Sequence, residues 1–233
     1  MPQLIAMIII VVGAMIYMFQ TFGGTGDKIE GIAQKASVIT EINNIKNGLK
    51  LAARAGDIKY SSTDDSTTLQ DLAKLGYFPE QINEQLVKST KGKDDNAYNA
   101  ISFGGISDQG DNAAMKVSLV TAGENFIPGI YVEFPQKGSL GSSAGFLESQ
   151  VANDLKSISL IHRSADSATK ANSEAQNSSG SGIEQRTPKV GTLKSGTGVN
   201  NVPAEYEDTT NNNDGKFIIY FSDFGSNEVV VKK

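Results

Sequence analysis

Three clusters of acidic or amide side chains are the groups in this chain that could bind a hard cation. They are Asp64-Asp65, Asp94-Asp95 and residues 211–215. Calcium takes several oxygen ligands, which a turn rich in Asp and Asn can supply. The last cluster lacks an acidic residue at Thr210, where an EF-hand loop would begin, and no glutamate follows at the loop's end. We therefore interpret the clusters as solvated turns and expect no metal site.

The groups that could support catalysis are also incomplete. His162 is the only histidine, so histidines of one chain cannot form a metal cluster. No G-x-S-x-G motif supplies a nucleophile, and the position of His162 beside Arg163, after a predicted helix, favours a helix-end cation. The glycine-rich stretches 103–105 and 191–198 match neither a P-loop nor a dinucleotide fingerprint. We expect no catalytic residue, no cofactor and no enzymatic activity.

Asn177 is a candidate glycosylation site, because Asn177-Ser178-Ser179 fits the N-x-[ST] acceptor pattern. This pattern is frequent by chance, and nearby serines and threonines are alternative O-linked acceptors. It lies within residues 164–215, which are rich in Ser, Thr, Asn and Gly and poor in large apolar side chains. Such a composition is typical of a solvent-facing excursion. We expect the excursion to lie on the outer surface and to be dispensable for folding of the rest.

Composition limits the class of protein further. The chain has 233 residues, a formal charge of −5 and no cysteine. Its length suits one globular domain behind a separate N-terminal segment. A net negative charge does not favour nucleic acid as a partner, and the absence of cysteine excludes disulfides and thiolate ligands.

The N-terminal segment is apolar. Residues 4–19 form an almost uninterrupted hydrophobic run, and no charged side chain precedes Asp27. A helix of this run rises about 24 Å, and with its uncharged flanks (2–26) it could cross a hydrocarbon core of about 30 Å. A signal peptide would show basic residues before the run and a small-residue cleavage site after it, and neither is present. We expect the segment to remain in the mature protein.

An amphipathic helix is predicted next, over residues 27–55. Asp27 and Glu30 fit a capping box at its start, and Gly56 fits its C-terminal end. Its apolar positions follow steps of three or four, which favour one buried face: Ile29, Ile32, Ala36, Ile39, Ile42, Ile45, Leu49 and Ala52. The two helices could be separate elements joined by a glycine loop, or one rod weakened at residues 23–26. We expect residues 23–26 to be non-helical or stretched.

The remaining patterns predict an α+β head. Short helices are expected at 68–75 and 79–88, with Tyr77 and Phe78 inserting into the core, and a longer helix at 143–159. Strands are expected at 100–103, 115–121, 129–134, 216–224 and 228–232. Residues 225–227 suggest that the last two strands form a terminal hairpin. The chain therefore divides into residues 1–26 and a head of residues 27–233.

This order of elements resembles the type IV pilin superfamily. The segment MPQLIAMIIIVVGAMIYMF is similar to a mature pilin N-terminus, and the loop sequence LQDLAKLGYFPEQI with the long head is closer to the type IVb branch. Two features depart from the family. Ile5 stands where pilins usually have a glutamate, and the usual C-terminal disulfide loop is absent.

The resemblance implies a structural subunit that polymerises into an extracellular pilus filament after residence in the inner membrane. Its implied partners are copies of itself, a prepilin peptidase that exposes Met1, and the inner-membrane pilus assembly machinery. Gly23, Gly24 and Gly26 would form a hinge. The implied polymerisation helix contains Leu4, Ile5, Ala6, Ile8, Ile9, Val11, Val12, Gly13, Ile16 and Phe19. The alternatives are a minor pilin or pseudopilin-like membrane-anchored interaction protein and, less favoured, an anchored hydrolase.

Overall fold

The computed structural model describes residues 31–61, 66–88, 112–121, 123–163 and 213–233, together with the backbone of 96–98. The polymerisation helix, the glycine hinge, Met1, Asn177 and the strand expected at 100–103 lie outside these residues. So does the excursion up to residue 212. The capping residues Asp27 and Glu30 also lie outside. Their assignments stay predictions.

The amphipathic helix, α1, is described over residues 31–55. It ends at the glycine that the sequence indicated. Gly56 adopts a φ of 75°, a left-handed conformation that glycine accepts without steric cost. The backbone N–H of Asp57 donates to the Ala52 carbonyl at 3.0 Å, and that of Gly56 donates to Ala53 at 3.0 Å. This pair of bonds is a Schellman motif, which satisfies the last carbonyls of the helix.

Two short helices follow a brief strand, β1 (Lys59–Tyr60). Helix α2 (Leu69–Lys74) begins with a capping box, in which Thr68 and Asp71 exchange side-chain and backbone hydrogen bonds. Helix α3 spans Glu80–Lys88. The predictions of helices at 68–75 and 79–88 are confirmed to within one residue at each end. Phe78 between them is buried and Tyr77 packs against the core, as predicted.

A five-stranded antiparallel sheet forms the other half of the fold, with strand order β2-β3-β4-β6-β5. Its strands are β2 (Asn96–Tyr98), β3 (Met115–Val120), β4 (Gly129–Glu133), β5 (Ser159–His162) and β6 (Lys216–Phe221). Strands β3, β4 and β6 confirm the predictions at 115–121, 129–134 and 216–224, with β6 ending three residues early. The described residues are therefore an α+β fold.

The helix predicted at 143–159 is shorter than expected. A 3-10 turn (Gly141–Ser143) leads into α4, which spans Ala144–Leu155. Ser159 lies in β5 instead, because the chain turns there: the Ile158 N–H donates to Leu155, and the Ser159 hydroxyl donates to the same carbonyl at 2.8 Å. The run Ser-Leu-Ile-His then pairs with β6.

The predicted terminal hairpin is wrong. The last strand, β7 (Val231–Lys232), pairs in parallel with β1 rather than with β6. Both long edges of β6 are already occupied by β4 and β5, so residues 222–230 carry the chain away from the sheet. The N–H of Val231 then donates to Ile58 at 2.9 Å. Parallel partners lie far apart in sequence, which is why a local turn pattern could not reveal them.

One hydrophobic core joins the helices to one face of the sheet. It contains buried residues of α1, α2, α3, α4 and of strands β3, β4 and β6. Phe134 and Phe217 meet inside it with ring centroids 5.8 Å apart. Among the described residues, no helix has both the length and the apolar composition needed to cross a membrane.

Candidate assembly surface

The inner face of α1 is anchored to the core. Val38, Ile42, Ile45 and Leu49 have no exposed surface. Gly48 allows close contact with the loop between α2 and α3, since a Cβ atom there would lie 2.3 Å from Cδ1 of Phe78. The helix is therefore held rigidly against the head along this face.

The opposite face of α1 is exposed, and its exposed residues are uncharged up to Leu51, one turn before Arg54. We call it the outward face; it consists of Ile32, Ala33, Ala36, Thr40, Asn47 and Leu51. Ile32 is 58% exposed and Leu51 is 54% exposed. The Thr40 hydroxyl donates to the Ala36 carbonyl at 2.9 Å, so its hydrogen-bonding capacity is used within the helix. The face extends over about 30 Å.

The prediction that Ile32 and Ala36 lie on the buried face is therefore wrong. A step of three residues advances about 300° around an α-helix, so each such step shifts a stripe back by about 60°. The predicted stripe takes three successive steps of three, from Ala36 to Ile45. Its first members consequently lie on the other side of the helix from its last.

Basic residues along one flank of α1 bind the C-terminal loop. Lys46 Nζ lies 2.8 Å from Oδ2 of Asp223, and Lys50 Nζ lies 3.2 Å from the same oxygen. Arg54 Nε donates to Oε1 of Glu228 at 2.7 Å. We call these five residues the charge clip. The clip fastens residues 222–230 to the helix.

The clip also has an aromatic layer. Lys46 Nζ lies 5.6 Å from the ring centroid of Phe221, and Lys50 Nζ lies 5.3 Å from that of Phe224. The two rings stack at 5.9 Å. A cation over an aromatic face is attracted by the ring quadrupole. The lysines thus lie against the head, and the outward face remains free of their charge.

Ionisation of the two clip carboxylates is favoured. Burial alone would raise the pKa of Asp223, but hydrogen bonds and the charges of Lys46 and Lys50 outweigh it and lower that pKa. Burial likewise opposes ionisation of Glu228, but the Gly225 N–H at 2.7 Å, Arg54 and Lys50 together lower its pKa. Both groups therefore carry their charge near neutral pH.

A second polar network closes the base of the excursion. Glu148 on α4 is fully buried and accepts from Arg163 Nε at 2.7 Å and from the Gly215 N–H at 2.8 Å. Arg163 also donates to Asn213. Burial raises the pKa of Glu148, against the opposing effects of Gly215 and Arg163. Residues just before and just after 164–212 are thereby held together.

The structure corrects the prediction for His162. It lies in strand β5 and is buried, so it is not a helix-end cation. Arg163 follows the strand and pairs with Glu148 on the preceding helix. The misplacement follows from extending α4 four residues too far.

The described part of the third acidic cluster forms a turn. Asn213 and Gly215 adopt positive φ angles of 47° and 81°, and the Asp214 carboxylate accepts from the Lys216 N–H at 3.1 Å. Asp64-Asp65, Asp94-Asp95 and the glycine-rich stretches lie outside the described residues. Within the described residues, no group of three His, Cys, Asp or Glu side chains is placed to hold a metal ion.

The charge clip was absent from our sequence predictions, although a signal for it exists. Lys46, Lys50 and Arg54 recur every four residues, and such a spacing places side chains on one helical flank. Their partners near the C-terminus could not be assigned without the fold.

The chain matches no model of a known protein family, no curated protein and no solved structure. Its function must therefore be argued from its own residues and geometry.

Proposed function

We propose that this chain is the structural subunit of an extracellular type IV pilus-like filament, which polymerises through a long N-terminal helix. The observation that carries the proposal is the uncharged outward face of α1. Among the exposed residues of α1 that the structure describes, Arg54 near the C-terminal end is charged, and all those before it are uncharged. This helix follows in sequence a start that has no charged side chain before Asp27.

The outward face has the chemistry of a packing surface. A helix face in contact with water alone usually carries charged side chains. Here alanines and a threonine lie between two exposed aliphatic residues, Ile32 and Leu51, and small side chains allow two helices to approach within about 8–10 Å. Burying apolar surface contributes about 25 cal/mol per Å². A neighbouring helix of the same kind is the occupant that we assign to this face.

The apolar run explains why association continues into a fibre. A helix that is apolar on all sides must be buried in lipid or among copies of itself. Ala6, Gly13 and Ala14 are small enough to permit close helix contacts. When one subunit packs on the next through different surfaces and the arrangement does not close, the product is a helical filament. Lipid would hold the subunit before assembly.

The decisive experiment is electron microscopy of material sheared from cells that produce the chain. We expect filaments whose principal component, identified by mass spectrometry, is this protein. Replacing Val12 with Asp should abolish them, because a dry helical bundle would have to bury an unpaired carboxylate. Filaments formed at the normal yield by this variant would contradict the proposal. So would finding the unmutated chain only as a membrane-anchored monomer.

A further inference from the structure

The end of the head where α1 begins carries exposed apolar side chains. Phe146 in the first turn of α4 is 46% exposed, and Ile32 at the start of the described part of α1 is 58% exposed. Cε1 of Phe146 lies 3.0 Å from the position that a Cβ atom of Gly31 would occupy, so the ring lies directly against α1. We call Phe146 and Ile32 the N-terminal rim of the head. Among the residues that the structure describes, Phe146 is the only exposed aromatic one.

The charged side chains beside the rim are paired within the head. Glu148, two positions after Phe146, is fully buried and lies 2.7 Å from Nε of Arg163. Lys35 Nζ lies 2.9 Å from Oδ2 of Asp154, which joins α1 to α4. The residues three and four positions after Phe146, which are its neighbours on the helix surface, are an uncharged serine and glutamine. The rim can therefore enter a less polar environment without leaving these charges unpaired.

The rim lies next to the part of the chain that we place in the membrane. The start without charged side chains ends at Gly26, five residues before Gly31. Five residues span about 7.5 Å in a helix and no more than about 18 Å when fully extended. The polar headgroup region on each side of the hydrocarbon core is about 5–8 Å thick. With residues 2–26 in the bilayer, a helical connection would bring Phe146 within reach of the lipid headgroups.

We propose that the N-terminal rim contacts the bilayer surface while the subunit is held in the membrane, with the ring of Phe146 among the lipid headgroups. Helices that lie in this interfacial region enter it with tryptophan, phenylalanine and leucine side chains. The occupant is lipid rather than a second copy, because the run 4–19 keeps this end of the head beside the bilayer before any neighbouring subunit is present. The inference rests on the proposed function only for the placement of residues 4–19 in lipid.

Tryptophan fluorescence tests the contact, since the chain contains no natural tryptophan. The full chain with Phe146→Trp would be reconstituted at low density into phosphatidylcholine vesicles, with and without bromine atoms on the lipid acyl chains. Bromine quenches an indole that lies close to it. Because interfacial side chains lie about 5–10 Å into the boundary between headgroups and acyl chains, position 146 should lose at least about half of its fluorescence. Ile32→Trp should be quenched as well, but undiminished fluorescence at position 146 would overturn the proposal whatever the result at position 32.

Leu51→Trp is the matched control. Leu51 is 54% exposed, but it lies twenty residues after Gly31, which is about 30 Å farther along the helix. The tryptophan at position 51 should therefore keep nearly all of its fluorescence in brominated vesicles. Equal quenching at positions 51 and 146 would show that the head lies along the membrane on the outward face of α1, and it would contradict a contact through the rim.

Acrylamide in the aqueous phase distinguishes lipid from a protein cover at the same position. We expect the tryptophan at position 146 to be quenched by brominated lipid and to be less accessible to acrylamide than the tryptophan at position 51. If position 146 is protected from both bromine and acrylamide, another copy of the chain covers it, and the assignment to lipid is wrong.

Flotation of the vesicles separates this inference from the proposed function. We expect the chain to float with the vesicles, because residues 4–19 would lie in the bilayer. Protein that does not float would contradict both the membrane-held state and the rim contact. Floating protein that is unquenched at position 146 would refute the rim contact alone.

Discussion

Glu148 shows how much of this fold depends on one buried charge. Its side chain has no exposed surface, and Arg163 and the Gly215 N–H occupy both of its oxygens. Taking two ions out of water costs several kcal/mol per ion, and this cost is offset only when both ions make complete sets of hydrogen bonds. Nothing in the local sequence marks this residue, because Glu at a helical position is ordinarily exposed.

We predict that Glu148→Ala destabilises the head by about 3–5 kcal/mol, since it removes the fully buried partner of an ion pair with Arg163 and leaves the Gly215 N–H without its acceptor. Glu148→Gln should cost less, because the amide oxygen can still accept one of the two hydrogen bonds. Urea denaturation of both variants, followed by circular dichroism, measures the difference. Equal stability of the alanine variant and the wild type would show that the network is not structural.

Gly48 marks a second residue-scale constraint, set by space rather than charge. Its missing Cβ would lie 2.3 Å from Cδ1 of Phe78 and 2.7 Å from the backbone oxygen of Tyr77. In an open helix, exchanging Gly for Ala gains about 1 kcal/mol. Here the clash with a backbone atom cannot be relieved by rotating a side chain.

We predict that Gly48→Ala destabilises the head by about 1–3 kcal/mol, the usual cost of overpacking. Gly31→Ala in the same helix is the matched control, because its Cβ would meet only the ring of Phe146 at 3.0 Å, which is 46% exposed and able to move. The control should be neutral or stabilising. Thermal unfolding of the two variants measures the difference in stability. An equal loss of stability in both would exclude the contact with Phe78 as the cause.

At the scale of elements, the sequence predicted the helix ends and strands that depend on interactions between neighbouring residues. Thr68, Gly56 and Gly76 mark helix ends because their caps use neighbouring backbone groups. Strands β3, β4 and β6 could be predicted because they are rich in β-branched and aromatic residues. The pairing of β7 with β1 was not readable. It joins Lys59 to Val231, two residues too far apart in sequence for any local pattern to relate them.

The charge clip should make head stability depend on pH in a defined direction. The pKa values of Asp223 and Glu228 are lower in the folded chain than their ordinary 3.8 and 4.5, so the folded state binds fewer protons. Their contribution is complete above these ordinary values and is lost as the pH falls through the lowered ones. Glu148, whose pKa is raised, acts in the opposite sense.

We therefore predict that Glu228→Gln flattens the acid limb of the stability curve and costs about 1–3 kcal/mol at neutral pH, because this carboxylate is buried and accepts several hydrogen bonds. Asp223→Asn should cost under about 1 kcal/mol, since its side chain is 37% exposed and solvent screens the pair. Chemical denaturation between pH 2 and pH 7 gives both curves. An unchanged acid limb in the Glu228 variant would show that the clip does not titrate as inferred.

At the scale of the whole molecule, the predicted division into an apolar start and an α+β head depended on composition, which is robust to errors at single residues. The outward face of α1 was harder to predict from the sequence. Periodicity identified α1 as amphipathic but placed Ile32 and Ala36 on the wrong face, because the stripe drifts around the helix. This outward face is exposed and consists mainly of small or apolar side chains. It can be identified only once the structure shows that the head covers the other side of the helix.

The last prediction tests that face directly. Leu51→Asp should abolish filaments while leaving the head's thermal unfolding within about 0.5 kcal/mol of the wild type, because the residue is exposed in the isolated chain. Leu75→Asp is the matched control, since Leu75 is 63% exposed but lies beyond α2 rather than on α1. A new carboxylate at position 51 would be buried between subunits, whereas one at position 75 would remain in water. Filament yield by microscopy, with circular dichroism of the same preparations, separates assembly from folding. Equal loss of filaments in both variants would mean that added charge alone blocks assembly, and the outward face of α1 would then have no special role.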